Sequence, residues 1–226
     1  MQKLDQLLKR ANEKVRIIEL RRYVPKRNRK GALLDIGCGE GLFVDLARKN
    51  GIYAQGIDKS ISPSPHCQKI SFEKYRTEQK YSIVCMYHLI EHLHHPLGAL
   101  KKVFRLLDDQ GSLVVELPLV GSLTSKLLGK DYFVFNDKTH LHFITKKEIY
   151  DLLERSGFSI RYKGCTLLEF PLTVITTLYR RGVAWAIIGT LVYLPLKILS
   201  LMGGNDEIIR LYCSKKGLKN IKSQHR

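Results

Sequence analysis

The stretch Ala32-Leu33-Leu34-Asp35-Ile36-Gly37-Cys38-Gly39-Glu40-Gly41-Leu42-Phe43 decides how this chain folds. It starts as a short apolar run of strand type and passes through glycines at 37, 39 and 41. It then continues as LFVDLARKNG, a helical pattern closed by Gly51. A strand running into a glycine turn and then a helix aims backbone N–H groups and a helix N-terminus at a ligand. Glycine is needed where a ligand touches backbone and leaves no room for a Cβ. A dinucleotide fingerprint would read GxGxxG, but position 42 is Leu and Gly41 falls one residue early, so the spacing is DxGxGxG.

Working outward, the same alternation of apolar runs and helical stretches recurs. The runs are ALLDIG (32–37), YAQGID (53–58), QKISF (68–72), YSIVCMY (81–87) and SLVVELP (112–118). A helix is expected over PLGALKKVFRLLDDQG, opened by Pro96 and closed by Gly111. Thr145-Lys-Lys-Glu148 reads as a capping box that starts a helix ending at Gly157. Two more strands are expected at 158–164 and 207–215, and an amphipathic helix at 1–24. The segment KSISPSPHCQ after Asp58 holds two prolines and is expected to lack a full helix. Val/Ile-rich strands alternating with helices predict a doubly wound α/β domain, its parallel sheet covered on both faces.

On the DxGxGxG loop, Gly56-Ile57-Asp58, His88-Leu-Ile-Glu91-His92 and His140-Leu-His142-Phe143-Ile-Thr145, the chain resembles the class I S-adenosylmethionine-dependent methyltransferases. More narrowly it resembles the branch holding quinone-biosynthesis O-methyltransferases, with the resemblance spanning roughly 31–165 and resuming at 207–215. It implies a Rossmann-like sheet of seven strands whose last strand is antiparallel. It implies that Asp35, Gly37, Cys38, Gly39 and Gly41 wrap the methionine part of S-adenosylmethionine and that Asp58, ending the second strand, holds the ribose hydroxyls. Phe72, Met86 and His88 fall in the remainder of the cofactor pocket. The chain departs from the family where Ser71-Phe72 replaces an acidic residue near the adenine and where Ser82 replaces the common Asp opening the fourth strand.

His92 and His140 are the candidate bases, because neutral imidazole suits removal of a hydroxyl proton near pH 7. Each is also readable as a structural histidine, His92 as one bracing its turn. His88-x-x-Glu91-His92 spells the inverted zinc motif HxxEH, but that motif needs a helix interior and this one follows a strand, so no metal is expected.

The net charge of +17 is concentrated at the ends. Residues 1–30 hold 11 Lys/Arg against 3 Asp/Glu, and residues 210–226 hold 6 against none. Such runs are either solvated tails or attachments to anionic lipid or nucleic acid. The N-terminus has no apolar signal region, and five scattered cysteines without CxxC spacing fit reduced thiols, so a cytoplasmic protein is expected.

Between the last two strands lie LLEFPLTVITTLY and VAWAIIGTLVYLPLKILSLM, flanking Arg180-Arg181. One crossing of a bilayer would strand the final element on the wrong side, and the first run is too short for a second crossing. The insertion is therefore expected to lie in an anionic membrane interface at the inner face, or to pack against a second subunit as a homodimer. The expected organisation is a basic N-terminal helix and linker (1–30), a core (31–165) with a substrate lid at 119–145, the insertion (166–206), the final strand (207–215) and a basic tail (216–226). The acceptor is expected to be a small-molecule, lipid-like or lipid-linked hydroxyl. RNA is the rival acceptor, disfavoured by the apolar insertion, and a cofactor-binding scaffold without turnover is the non-enzymatic alternative.

Overall fold

The computed structural model describes residues 2–60, 65–122, 125–126, 129–164 and 207–217, with backbone alone for 2–8, and Gly182, Ala184, Ile187, Ile188 and Leu191. Seven strands form one sheet: β1 (Leu33–Ile36), β2 (Ala54–Asp58), β3 (Cys67–Lys69), β4 (Tyr81–Tyr87), β5 (Leu107–Pro118), β6 (Phe158–Lys163) and β7 (Ile208–Lys215). Their order is β3-β2-β1-β4-β5-β7-β6, with β1 to β5 parallel and β7 antiparallel to both neighbours. The order reverses between β1 and β4, and the crevice outside the strand ends at such a switch point is where open α/β sheets bind ligands.

Alternate residues of each central strand face opposite layers, as the two-residue period requires. Leu34 and Ile36 of β1, Val84 and Met86 of β4 and Val115 of β5 join one core with Leu100 and Val103 of α3 (Pro96–Leu106) and Ile149 and Leu153 of α4 (Lys146–Arg155). Leu33, Ile83, Cys85 and Val114 face the other, built with α1 (Gln2–Tyr23) and α2 (Leu42–Lys49). The capping box is present, with the Thr145 hydroxyl accepting from Glu148 N at 3.3 Å and Glu148 Oε2 accepting from Thr145 N at 2.7 Å.

The N-terminal helix belongs to this second core. Ile17, Leu20 and Val24 are 3%, 0% and 2% exposed. Burial of each such side chain contributes about 1.5–3 kcal/mol, which fixes α1 as part of the domain.

Two expected boundaries move. The helix opened by Pro96 stops at Leu106, short of Gly111, because Leu107 is already extended (ψ 144°) and pairs with Tyr81. Asp108 then accepts from the Ser82 hydroxyl at 2.6 Å. The strand expected at 68–72 ends at Lys69, because the Ser71 carbonyl accepts from the N–H groups of Lys74 and Tyr75, turning the chain. Most of the insertion, its Arg pair and the tail beyond 217 lie outside the described residues. Among the described residues no helix is long and apolar enough to cross a membrane.

Candidate active site

The register sets Ile36, Ile57 and Met86 side by side, so the loop after β1, Asp58 and the turn after β4 share one sheet edge. The loop is held to β2 by Gly37 N and Cys38 N, which donate to Ile57 O at 2.8 and 3.2 Å. Gly37, Gly39 and Gly41 have φ of 79°, 50° and 79°, a region that L side chains rarely enter. A Cβ on Gly39 would meet nothing within 4 Å, so this backbone borders open space. Asp58 stiffens the loop, accepting from Gly39 N at 3.1 Å and Ser60 N at 2.8 Å. A carboxylate offers about four lone-pair sites, so two remain for a ligand.

Asp35 lies 3% exposed behind the loop with Oδ1 lacking a hydrogen-bond partner. Burial, reinforced by the nearby charge of Glu13 on α1, pushes its carboxyl up to about 8. A buried carboxyl with an orphaned oxygen beneath the open glycine turn fits the ammonium end of an amino-acid ligand. Cys38 packs over Gly56, where a Cβ would come within 2.5 Å of its Sγ, and burial raises its thiol. Cys38, Cys67, Cys85 and Cys213 are all free.

Of the other cofactor candidates, His88 stands in the turn after β4 at φ 50°, and Phe72 is buried under the ammonium of Lys102, 4.4 Å from its ring centroid. Met86 is 0% exposed in the core beneath α3, so its side chain fills a layer and faces no cleft.

The two candidate bases, 48 positions apart in sequence, meet with ring centroids 4.8 Å apart. His92 ends the 3-10 turn Ile90–His92, and His140 comes from the segment between β5 and α4. That segment is pinned to the turn by Leu141 N and His142 N, which donate to Glu91 O at 2.9 and 3.1 Å. Each ring has Nδ1 against a backbone carbonyl, His92 on Thr139 O at 2.9 Å and His140 on Val134 O at 2.8 Å. A carbonyl only accepts, so each Nδ1 carries a proton, and the His140 Nε2 lies 3.7 Å from Asp137 Oδ2. Between them Glu91 is 1% exposed with neither carboxylate oxygen hydrogen-bonded.

Sequence reasoning missed the charged layer under this edge. Glu116 of β5, 0% exposed, pairs with Arg16 of α1 and Arg210 of β7. Arg210 also pairs with Glu19 at 2.8 Å, and the Arg16 guanidinium lies over the Tyr87 ring at 4.1 Å. Burial alone would raise the Glu116 carboxyl, but the two guanidiniums hold it well below the usual range. The one local signal was a charge inside each of two apolar strands, VVELP and EIIRLY.

This sheet order, its antiparallel β7 and the glycine cradle at the switch point define the class I S-adenosylmethionine-dependent methyltransferases. Residues 8–163 match the model of a methyltransferase domain family, and the chain belongs to that family. The match starts within α1, in keeping with that helix's place in the core.

A curated relative, the ubiquinone biosynthesis O-methyltransferase of Aeromonas salmonicida (strain A449), is 23% identical over 150 residues, covering 57% of this chain and 63% of the relative. The chain thus matches less than two thirds of that protein's length. A S-adenosylmethionine-dependent methyltransferase from Archaeoglobus fulgidus shares the fold at a TM-score of 0.59 and 19% identity, covering 90% of this chain and 94% of that one. A mycolic acid cyclopropane synthase solved with S-adenosylhomocysteine does so at 0.56 and 14%, covering 82% and 78%. S-adenosylmethionine is the cofactor of the class, and the orphaned Asp35 oxygen and the open cradle at Gly39 fit it.

Proposed function

We propose that this protein transfers the methyl group of S-adenosylmethionine to a hydroxyl of a small lipid-like, quinone-like or lipid-linked acceptor. The observation that carries this reading is the meeting of His92 and His140, each with Nδ1 held by a backbone carbonyl, at the strand edge that holds the glycine loop. In this reading Asp35, Gly37, Cys38, Gly39 and Gly41 hold the methionine part of the cofactor and Asp58 the ribose. Phe72 and His88 border the rest, and Met86 fills the layer below. Methyl transfer is an in-line displacement at a sulfonium, so the chain's work is to align the acceptor oxygen and exclude water. The Nε2 of His92 or His140 takes up the acceptor proton.

Support for an apolar acceptor comes from the lid. Phe135, Leu141 and Phe143 beside His140 are 41%, 46% and 48% exposed, and the two phenyl rings pack edge to face at 5.1 Å. The relative's name, which refers to ubiquinone biosynthesis, supports the same class of acceptor. The test is methyl transfer to a panel of phenolic and lipid hydroxyls. Alanine at His92 or His140 should cut turnover ~10²–10⁴-fold and leave S-adenosylhomocysteine affinity unchanged. Small losses at both sites would show positioning alone.

The proposed working place is the cytoplasmic face of an anionic inner membrane, with the insertion as the attachment. Its described apolar positions Ile187, Ile188 and Leu191 are 57%, 50% and 71% exposed, in keeping with an apolar face turned outward. Flotation with anionic liposomes, partly reversed by high salt, is the expected result. A dimer that never floats, and that is lost when 167–204 is replaced by a short Gly/Ser turn, would make the insertion a subunit interface.

A further inference from the structure

We infer that Cys38 of the glycine turn and Cys67 at the start of β3 form a thiol pair that hydrogen peroxide converts to a disulfide. The fold, and no spacing in the sequence, brings them together. The β2–β3 register sets Cys67 beside Gly56. Cys38 N donates to Ile57 O at 3.2 Å, which lays the turn over the same stretch of β2. A Cβ on Gly56 would lie 2.5 Å from Cys38 Sγ and 3.0 Å from Cys67 Sγ, so both sulfurs crowd over one glycine. The two thiols hydrogen-bond to each other. Cys67 Sγ also reaches the turn itself, 2.9 Å from where a Cβ on Gly41 would stand.

A disulfide holds its sulfurs about 2.05 Å apart and cannot form between side chains that point away from each other. Here both side chains converge over Gly56, which has no Cβ to keep them apart. β3 is the last strand of the sheet and pairs with β2 alone, so it can shift toward the turn as the bond closes. The oxidant has a way in, because Cys38 is half-buried and the turn at Gly39 borders open space. Cys85 and Cys213, 0% and 2% exposed within inner strands, lack that access.

The Cys38 thiolate attacks one oxygen of the peroxide. The O–O bond breaks, the sulfur becomes a sulfenic acid, and the departing hydroxide takes up the thiol proton as water. Cys67 then attacks that sulfur, the S–S bond forms as S–O breaks, and a second water leaves. The two thiols lose two electrons and two protons, and one peroxide is reduced to two waters. Burial raises the Cys38 thiol, so its thiolate is scarce and the first step is slow.

The bond ties the turn proposed to hold the methionine part of the cofactor to an edge strand. It pulls on the backbone next to Gly39 N, which Asp58 Oδ2 holds at 3.1 Å. Oxidation therefore weakens cofactor binding, and bound cofactor shields Cys38. This coupling rests on the proposed cofactor placement; the disulfide does not.

The reduced full-length protein is treated with excess hydrogen peroxide, its remaining thiols are alkylated, and its tryptic peptides are mapped without reduction. Cleavage at Arg48 and Lys59 puts Cys38 and Cys67 on separate peptides. A Cys38–Cys67 cross-linked pair is expected, lighter than its parts by the two thiol hydrogens, and a phosphine reductant should reverse it. S-adenosylhomocysteine affinity should fall about 10-fold or more on oxidation, within the range of coupling between linked sites, and return on reduction. Recovery with the phosphine separates thiol chemistry from methionine oxidation. Cys67→Ser should give no cross-link, and its Cys38 should pass on to the sulfinic acid, which the phosphine does not reverse. Circular dichroism checks the fold of that variant, and the map of the unaltered sequence stands without it. A map in which Cys38 stays a thiol, carries only its own oxygen acids, or pairs with Cys85, Cys165 or Cys213 overturns the pair. The cross-link with unchanged affinity keeps the pair and overturns its coupling to the cofactor. S-adenosylhomocysteine bound by neither form, with the cross-link present, counts against the cofactor placement and leaves the thiol pair standing.

Discussion

The backbone N–H of His88 donates to Glu116 O at 2.8 Å, and the His88 ring Nε2 lies 3.3 Å from Glu116 Oε1. One residue of β5 thus holds the turn after β4 twice, by main chain and by side chain. Arg16 and Arg210 grip the same carboxylate from behind, so the turn bordering the proposed cofactor site is tied to α1 and to β7.

Glu116→Gln should therefore destabilise the fold by up to about 3–5 kcal/mol, because it removes the carboxylate that two buried guanidiniums share and leaves Arg16 with Glu13 and Arg210 with Glu19. Urea denaturation across pH checks the origin. The folded Glu116 carboxyl lies below its unfolded value, so its contribution is present above about pH 4.3 and is lost as pH falls from there through the folded value. The variant should lose that part of the acid limb. An unchanged acid limb would place the effect in packing.

Asp35 should make cofactor binding proton-linked. Its carboxyl is pushed up to about 8, so below that pH it is neutral in the free protein. An ammonium brought against it favours the ionised form, so S-adenosylhomocysteine binding at pH 7 should release a proton. Calorimetry in buffers of different ionisation enthalpy reads this release, and Asp35→Asn should abolish it. For the free protein the sign is the reverse of the Glu116 case. A raised carboxyl costs nothing below about pH 3.9 and costs progressively more as pH rises towards 8, so Asp35→Asn should gain relative stability at alkaline pH.

Gly56 tests the packing under the glycine loop. A Cβ there would lie 2.5 Å from Cys38 Sγ and 2.7 Å from Cys38 Cβ. Overpacking of this kind costs about 1–3 kcal/mol, so Gly56→Ala should weaken S-adenosylhomocysteine binding by about 10-fold or more. Adding Cys38→Gly should restore part of it. No restoration would show that the strain falls on Cys67 instead.

How far the sequence reaches is visible at particular residues. The strands and the glycine loop were legible because their signals are local: apolar runs, glycines at fixed offsets, and a capping box at Thr145. The end of α3 was not, because the bond from Ser82 to Asp108 joins residues on two strands. The charges of α1 read as an attachment, yet Arg16 and Glu19 point inward to partners on β5 and β7. Nothing near residue 16 names residue 116. His92 and His140 were each recognisable as candidates, but their meeting depends on the bonds from Leu141 N and His142 N to Glu91 O, which no local pattern announces.

The most direct test of the account is titration of the intact protein with S-adenosylhomocysteine, beside Asp58→Ala and a challenge with NAD. One equivalent should bind. Asp58→Ala should lose about 2–4 kcal/mol, the worth of a carboxylate accepting two hydroxyl protons less any overlap, and NAD should not compete. Binding that is absent, shared with NAD or indifferent to Asp58 would contradict the assignment of this strand edge as the cofactor site.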